Sequence, residues 1–193
     1  STWEVLSGEV SGKAKELVIL EKWQPWYRLE SWRLGLAEFE INDLLLCKTL
    51  ADTFPVKRND YHELYPETLE VIEALQDKYQ LGIVSNGASK IQRNKLERCG
   101  LEGIFNPIII SGEHSVGKPD VKLLRPTLRK HKRKSAEVVI VGDRLDTDIR
   151  LAANAGCKSV WVKRRKQPPP DDNLKPDAVI TDLTKLPSAL KKL

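Results

Sequence analysis

The chain has 193 residues, of which 40% are hydrophobic and 31% charged, and its 32 Lys+Arg against 27 Asp+Glu leave a net charge of +5. That length suits one domain, or one domain with a small appendage, and it buries enough surface to fold without disulfides or a structural metal. The composition is not that of a disordered chain, and apolar runs such as Leu44-Leu45-Leu46-Cys47 fall far short of the ~20 residues that span a bilayer.

Along the chain, Pro25 suits a first helical position. Leu29, Trp32, Leu36 and Phe39 then recur at helical steps and predict one apolar face. Asn42 or Asp43 can cap a second helix carrying Leu46, Leu50 and Phe54 and stopped by Pro55. From Tyr65 the character changes. Pro66 opens a helix with Leu69, Ile72, Leu75 and Tyr79 on one face, and a short apolar run, Leu81 to Val84, ends in Ser85-Asn86-Gly87. A helix with Ile91 and Leu96 closes at Gly100, which suits a left-handed cap. Ile108-Ile109-Ile110 is a further run. Beyond Gly117-Lys118-Pro119-Asp120 a helical stretch runs to about His131, with Pro126 as an expected kink. Val138 to Val141 is a β-branched run ending in Gly142-Asp143. A helix ending at Gly156, a strand from Ser159 to Val162, an extended loop at Pro168-Pro169-Pro170, a strand from Ala178 to Ile180 and a helix from Leu186 to Leu193 complete the chain.

Strands alternating with helices predict an α/β fold with a parallel sheet, covered by helices on both faces. Ligands in such sheets bind beyond the carboxyl ends of the strands. The residues there are Ser85-Asn86-Gly87, Ser111-Gly112, Gly142-Asp143 and Lys163. Ser85 offers a hydroxyl, and Asn86 and Gly87 offer backbone N–H groups at a helix start, a pairing that suits a phosphoryl oxygen. Alone, such a tripeptide is an ordinary turn and cap. Lys118 alone is a surface lysine. Asp143 closes a strand, with Asp146 and Asp148 close behind. Acids so placed suit a hard cation such as Mg²⁺ held against a phosphate. Helix capping explains one of them, but not also an acid that ends the strand.

The segment from about Tyr65 to Leu193 resembles the haloacid dehalogenase superfamily, in particular its phosphatases with a helical cap. Val84-Ser85-Asn86-Gly87 resembles the family's second motif and Gly117-Lys118-Pro119-Asp120 its third. Val141-Gly142-Asp143-Arg144-Leu145-Asp146-Thr147-Asp148 resembles its fourth, and Asn154-Ala155-Gly156 follows before a strand as expected. Each motif is weak singly; three in order, each at an element boundary, are specific. The resemblance implies a Rossmann-like core over residues 65–193 and an incomplete helical cap over residues 1–64. It implies that Ser85 binds a phosphoryl oxygen and that Lys118 holds the nucleophile and offsets charge on the transferring group. It implies Asp143 as a Mg²⁺ ligand and Asp148 as a ligand or an orienting group. Asp146, at the wrong offset, is expected to cap the helix. The implied activity is Mg²⁺-dependent hydrolysis of a small phosphorylated metabolite through an aspartyl phosphate. The family's dehalogenases do not need the metal-binding acids, so Asp143 with Asp148 argues for a phosphatase.

The family's first motif, an apolar strand followed by Asp-x-Asp, is not found. Its first Asp is the nucleophile and its second the general acid and base. The single Asp-x-Asp here, Asp146-Thr147-Asp148, already belongs to the fourth motif. Leu17-Val18-Ile19-Leu20 is followed by Glu21-Lys22-Trp23, which is either a degenerate substitute strand or part of the cap. Omitting a central strand would leave buried backbone groups unpaired at about 1–3 kcal/mol each. The expectation is therefore a nucleophile upstream of Ser1, and residues 1–193 alone are expected to be inactive. The chain contains no methionine and opens at Ser1-Thr2-Trp3, which leaves open a processed start, a cut one, or a longer natural chain.

Two other functions stay open. One is a non-catalytic relative that binds a phosphorylated ligand or a protein partner. The other is a nucleic-acid-binding protein using Arg129-Lys130-His131-Lys132-Arg133-Lys134 and Lys163-Arg164-Arg165-Lys166, clusters that read more simply as a solvated helix end and a solvated loop. Trp23, Trp26 and Tyr27 either line a substrate pocket or pack together. With no leader visible and Cys47, Cys99 and Cys157 lacking zinc or redox spacing, a cytoplasmic protein with reduced thiols is expected, with no membrane partner. Oligomeric state stays open.

Overall fold

The computed structural model describes residues 15–164 and 174–193. The described residues form two compact units, one containing those up to 63 together with 87–102, the other containing 64–86 and 103 onward. The expected Pro168-Pro169-Pro170 loop, Arg165 and Lys166 lie outside the described residues.

The first unit is helical. Helix α1 is Lys15–Ala37 and helix α2 is Leu44–Asp60. The backbone of Leu17 to Leu20 is helical, so the substitute-strand reading fails. Pro25 lies inside α1 and Pro55 inside α2, so neither starts or stops its helix. Proline removes one backbone donor and favours a kink, and both helices continue past theirs. Asp43 does cap α2, its carboxylate accepting from the Leu46 amide at 2.9 Å. The buried face of α2 is Cys47, Ala51 and Pro55, a four-residue step, whereas Leu46 and Phe54 are 37% exposed. Small side chains let a neighbouring helix approach closely, and the larger leucines fall outside that stripe. Phe39 lies in the turn after α1 and is 75% exposed, not on its face. Trp32 meets the Phe54 ring edge-on at 5.6 Å, and Trp23 stacks at a tilt against Trp26 and Tyr27, each at 5.1 Å.

The second unit carries every strand. Helix α3 is Thr68–Gln76, and its buried residues are Val71 and Leu75; of the expected face Leu75 is buried, whereas Leu69 is 57% exposed and Tyr79, beyond the helix end, is 42% exposed. Strand β1 is Ile83–Ser85 and pairs in parallel with β2, Ile108–Ile110. Helix α4, Ser89–Arg98, belongs to the first unit and ends at Gly100, whose φ of 67° is the left-handed conformation glycine adopts without strain. Helix α5 is only Arg125–Lys130, with Pro126 in its first turn rather than kinking a longer helix. Proline is tolerated there because first-turn amides lack partners anyway. Strand β3 is Val139–Gly142, β4 is Lys158–Val162 and β5 is Ala178–Ile180. These three form a parallel sheet in the order β3-β4-β5. Between β3 and β4, a π-helical turn, Leu145–Ile149, runs into helix α6, Arg150–Ala155, which Gly156 terminates at φ 69°. Helix α7 is Leu186–Leu190.

Ile109, Leu123, Leu124, Leu151, Ala152, Ala155 and Cys157 form one apolar cluster, against which Val84 of β1 and Ile140 of β3 both pack. A second cluster joins Val71 and Leu75 of α3 to Val160, Val162, Ile180 and Leu186. Although β1 and β3 border one cluster, no ladder joins them among the described residues: β1 pairs with β2 and β3 with β4. The consequence is visible in burial. Within β4, Ser159 through Val162 are at most 9% exposed, whereas Val141 of β3 is 37% exposed.

Candidate active site

The carboxyl ends of β1 and β3 are linked through one lysine. Lys118 Nζ donates to the Val84 carbonyl at 2.8 Å and to Asp148 Oδ1 at 2.7 Å. An ammonium has three protons, so one remains for another oxygen. The other Asp148 oxygen accepts from the Arg144 amide at 3.1 Å. Asp148 is 6% exposed, and burying a carboxylate this deeply requires such pairing. The pair spans sequence positions thirty apart, which no local pattern could reveal.

The loop carrying Lys118 is clamped by Asn86. Its Oδ1 accepts from the Lys118 amide at 2.7 Å and its Nδ2 donates to the Lys118 carbonyl at 3.0 Å. The Asn86 side chain thus fixes the lysine's backbone, a role that sequence reasoning missed. A Cβ on Gly117 would stand 2.9 Å from Asn86 Oδ1, so only glycine admits this approach. Asn154 Nδ2 adds a hold on the Pro119 carbonyl at 3.2 Å. Among the described residues the Ser85 hydroxyl makes only a long 3.5 Å contact with the neighbouring Asn86 carbonyl, which leaves it available to a ligand. Gly87, expected to act with it, opens the 87–102 segment of the first unit and has φ 145°. An open depression of about 530 Å³ is lined by Gly117, Pro119, Asp120, Val121 and Asn154.

At the β3 end, Gly142 is required by proximity: a Cβ there would come within 2.3 Å of the Asp148 Cβ. The Asp143 carbonyl accepts from Trp161 Nε1 at 3.1 Å, which fixes the acid's backbone from β4. Asp146 is not the residue at the helix cap position. It forms a two-point pair with Arg144, at 3.0 and 2.6 Å, and the guanidinium, helped by the backbone N–H groups of Asp146 and Thr147, holds its carboxyl below the usual carboxylate range. Arg144 itself occupies the cap position, with no side-chain cap bond.

For a hard cation the donor chemistry is right and the number is not. Oxygen donors suit Mg²⁺, but both Asp148 oxygens are engaged. Among the described residues no group of three acidic, histidine or cysteine side chains converges as a metal site. Asp143 and Asp148 alone do not complete one.

Residues 32–162 match the family model of haloacid dehalogenase-like hydrolases. The chain is 37% identical over 137 residues to the phosphoserine phosphatase of Thermus thermophilus, a match covering 70% of this chain and 54% of that protein. It is 35% identical over 138 residues to a glyceraldehyde 3-phosphate phosphatase of Methanopyrus kandleri, covering 69% of this chain and 59% of that one. Among solved structures it is similar to an HAD phosphatase from Thermococcus onnurineus, with a TM-score of 0.60, 32% identity, and coverage of 66% of this chain and 58% of that one. A family match over more than half its residues, on a parallel α/β fold with that Lys118–Asp148 pair at the strand ends, makes this chain a member of the haloacid dehalogenase-like hydrolases. The chain spans little more than half the length of these relatives. No described helix is long and apolar enough to cross a membrane.

Proposed function

We propose that this protein is a phosphohydrolase of small phosphorylated metabolites, working through an aspartyl phosphate with Mg²⁺. The observation that carries this reading is the Lys118–Asp148 pair, which leaves one ammonium proton for an incoming oxygen. The phosphatase relatives support it. Ser85 donates its hydroxyl to one phosphoryl oxygen. Lys118, held by Asn86, offsets the charge on the transferring group, and Asp148 aims and neutralises the lysine between turnovers. Asp143 is this chain's own contribution to the cation's coordination, which requires further carboxylates.

The nucleophile and its general acid come from an Asp-x-Asp segment outside residues 1–193, on a strand between β1 and β3. The unpaired edges of those strands support that placement: Val-Ile-Val in β3 carries neither charge nor proline, the usual protection of a true edge. The product of the complete coding sequence should hydrolyse p-nitrophenyl phosphate with Mg²⁺ and stop in excess EDTA, while residues 1–193 alone should not turn over. Turnover by the short form would overturn the placement of the nucleophile. In the active form, Lys118→Ala should lower kcat by about 10²–10³, the usual worth of one such donor. A loss of less than a few-fold would remove Lys118 from the mechanism.

A further inference from the structure

The first unit holds a concentration of positive charge that the proposed chemistry does not use. Arg58 lies in the last turn of α2, His62 just beyond it, and Lys95 and Arg98 in the last turn of α4. The two helices are joined there by an ion pair, Arg98 Nη2 to Asp60 Oδ1 at 3.4 Å. That pair accounts for Arg98. It leaves Arg58 and Lys95 without a carboxylate partner among the described residues. Among the described residues neither Arg58 Nη1 nor His62 Nε2, both covered atoms, has a hydrogen-bond partner, although the rest of each side chain reaches the surface.

Helix dipoles explain why each helix ends in cations, since a C-terminus carries partial negative charge. They do not explain two covered nitrogens without partners, each costing about 1–3 kcal/mol if left so. Nor do they explain why the cations of both helices gather at one place. Burial first, and then the cations Lys95, Arg58 and Arg98, push the His62 pKa down. Lys95 is likewise pushed down, by burial first and by Arg58 second, with the Cys99 sulfur as its one opposing neighbour.

We infer that Arg58, His62 and Lys95 form a binding site for a dianionic oxyanion of the phosphate class, distinct in its residues from Ser85, Lys118, Asp143 and Asp148. The charge count selects the ligand: two unmatched cations, Arg58 and Lys95, call for two negative charges, and a fork of N–H groups suits tetrahedral oxygens. The imidazole then donates from Nε2 to the bound anion, as a neutral tautomer or as an imidazolium. The anion supplies the missing acceptors and removes the repulsion in one step.

The chain has three histidines, so their ring proton resonances are readily separated by NMR. Residues 1–193 are titrated with sodium sulfate at constant ionic strength held by chloride. Sulfate should shift the His62 resonance saturably and raise its titration midpoint, because a bound anion favours the imidazolium, and His114 should not move. Arg58→Gln and Lys95→Gln should each weaken the response about tenfold or more, with unchanged helical far-UV circular dichroism and a cooperative urea transition showing that the helical unit stays folded. Acetate should bind at least tenfold more weakly than sulfate. Inorganic phosphate and glycerol 2-phosphate separate a free ion from an esterified one, and saturable binding of either supports the site. A His62 response no larger than chloride produces, an equal response to acetate, or full sulfate binding by both folded variants overturns it. Lys118→Ala, shown folded by a cooperative urea transition, should leave the response unchanged, and its loss in that folded variant would place the anion at the strand ends and overturn the site too.

Discussion

Lys118 at the strand ends and Lys95 on helix α4 are both partly withdrawn from water, yet their surroundings are opposite. Lys118 faces a carbonyl and a carboxylate that is itself held by a backbone amide. Lys95 faces Arg58, and its ammonium form is disfavoured. The difference teaches how a fold uses one residue type twice. A lysine whose partner is built in is prepared for its task before any ligand arrives. A lysine among like charges makes its surroundings dependent on a counter-ion from outside.

Removing the built-in partner should have the largest effect. Asp148→Ala strands a largely buried ammonium and should cost about 3–5 kcal/mol in urea unfolding. Asp148→Ala combined with Lys118→Met should recover a good part of that loss, since the stranded charge goes with it. A single-variant cost below about 1 kcal/mol would mean that the pair is not a buried one in solution. The same cluster can be attacked through its spacing. Gly142→Ala places a methyl group against the Asp148 side chain, and overpacking of this kind costs about 1–3 kcal/mol. A thermal melt unchanged from the parent would show that the β3 end can yield.

In the first unit the test is pH. An unfolded chain protonates His62 near 6.5, whereas burial and the neighbouring cations delay that uptake to lower pH in the folded chain. Between the two values the unfolded state binds more protons, so stability falls as pH drops through that window. His62→Asn should flatten the fall between pH 7 and 5, measured by urea unfolding at low phosphate and sulfate. An identical slope would contradict the crowding of charge around the ring. The smallest effect belongs to Lys95→Met. At low salt it should be neutral or stabilising by a few tenths of a kcal/mol, with the difference closing in 1 M NaCl as screening removes the repulsion. A clear destabilisation would mean that Lys95 has a partner.

Local chemistry made most of the second unit legible. Ser85 and Asp143 each stand at the end of an apolar run, and Gly156 ends its helix in the left-handed conformation. The helical faces were read less well. In α2 the apolar residues outnumber those that one neighbour can cover, so periodicity alone selected Leu46 and Phe54 over Cys47 and Ala51.

The alternation of strands and helices and the parallel class of the sheet are written in backbone propensity and residue order, and the three motifs at element boundaries are legible by resemblance. The partners come from packing between segments. That Asn86 clamps Lys118, that Asp148 pairs with Lys118, that Asp146 turns to Arg144, and that Arg58, His62 and Lys95 share one place are facts about distant segments brought together. Such contacts depend on how layers pack. The period of a helix or a strand carries no record of which side chain will stand opposite.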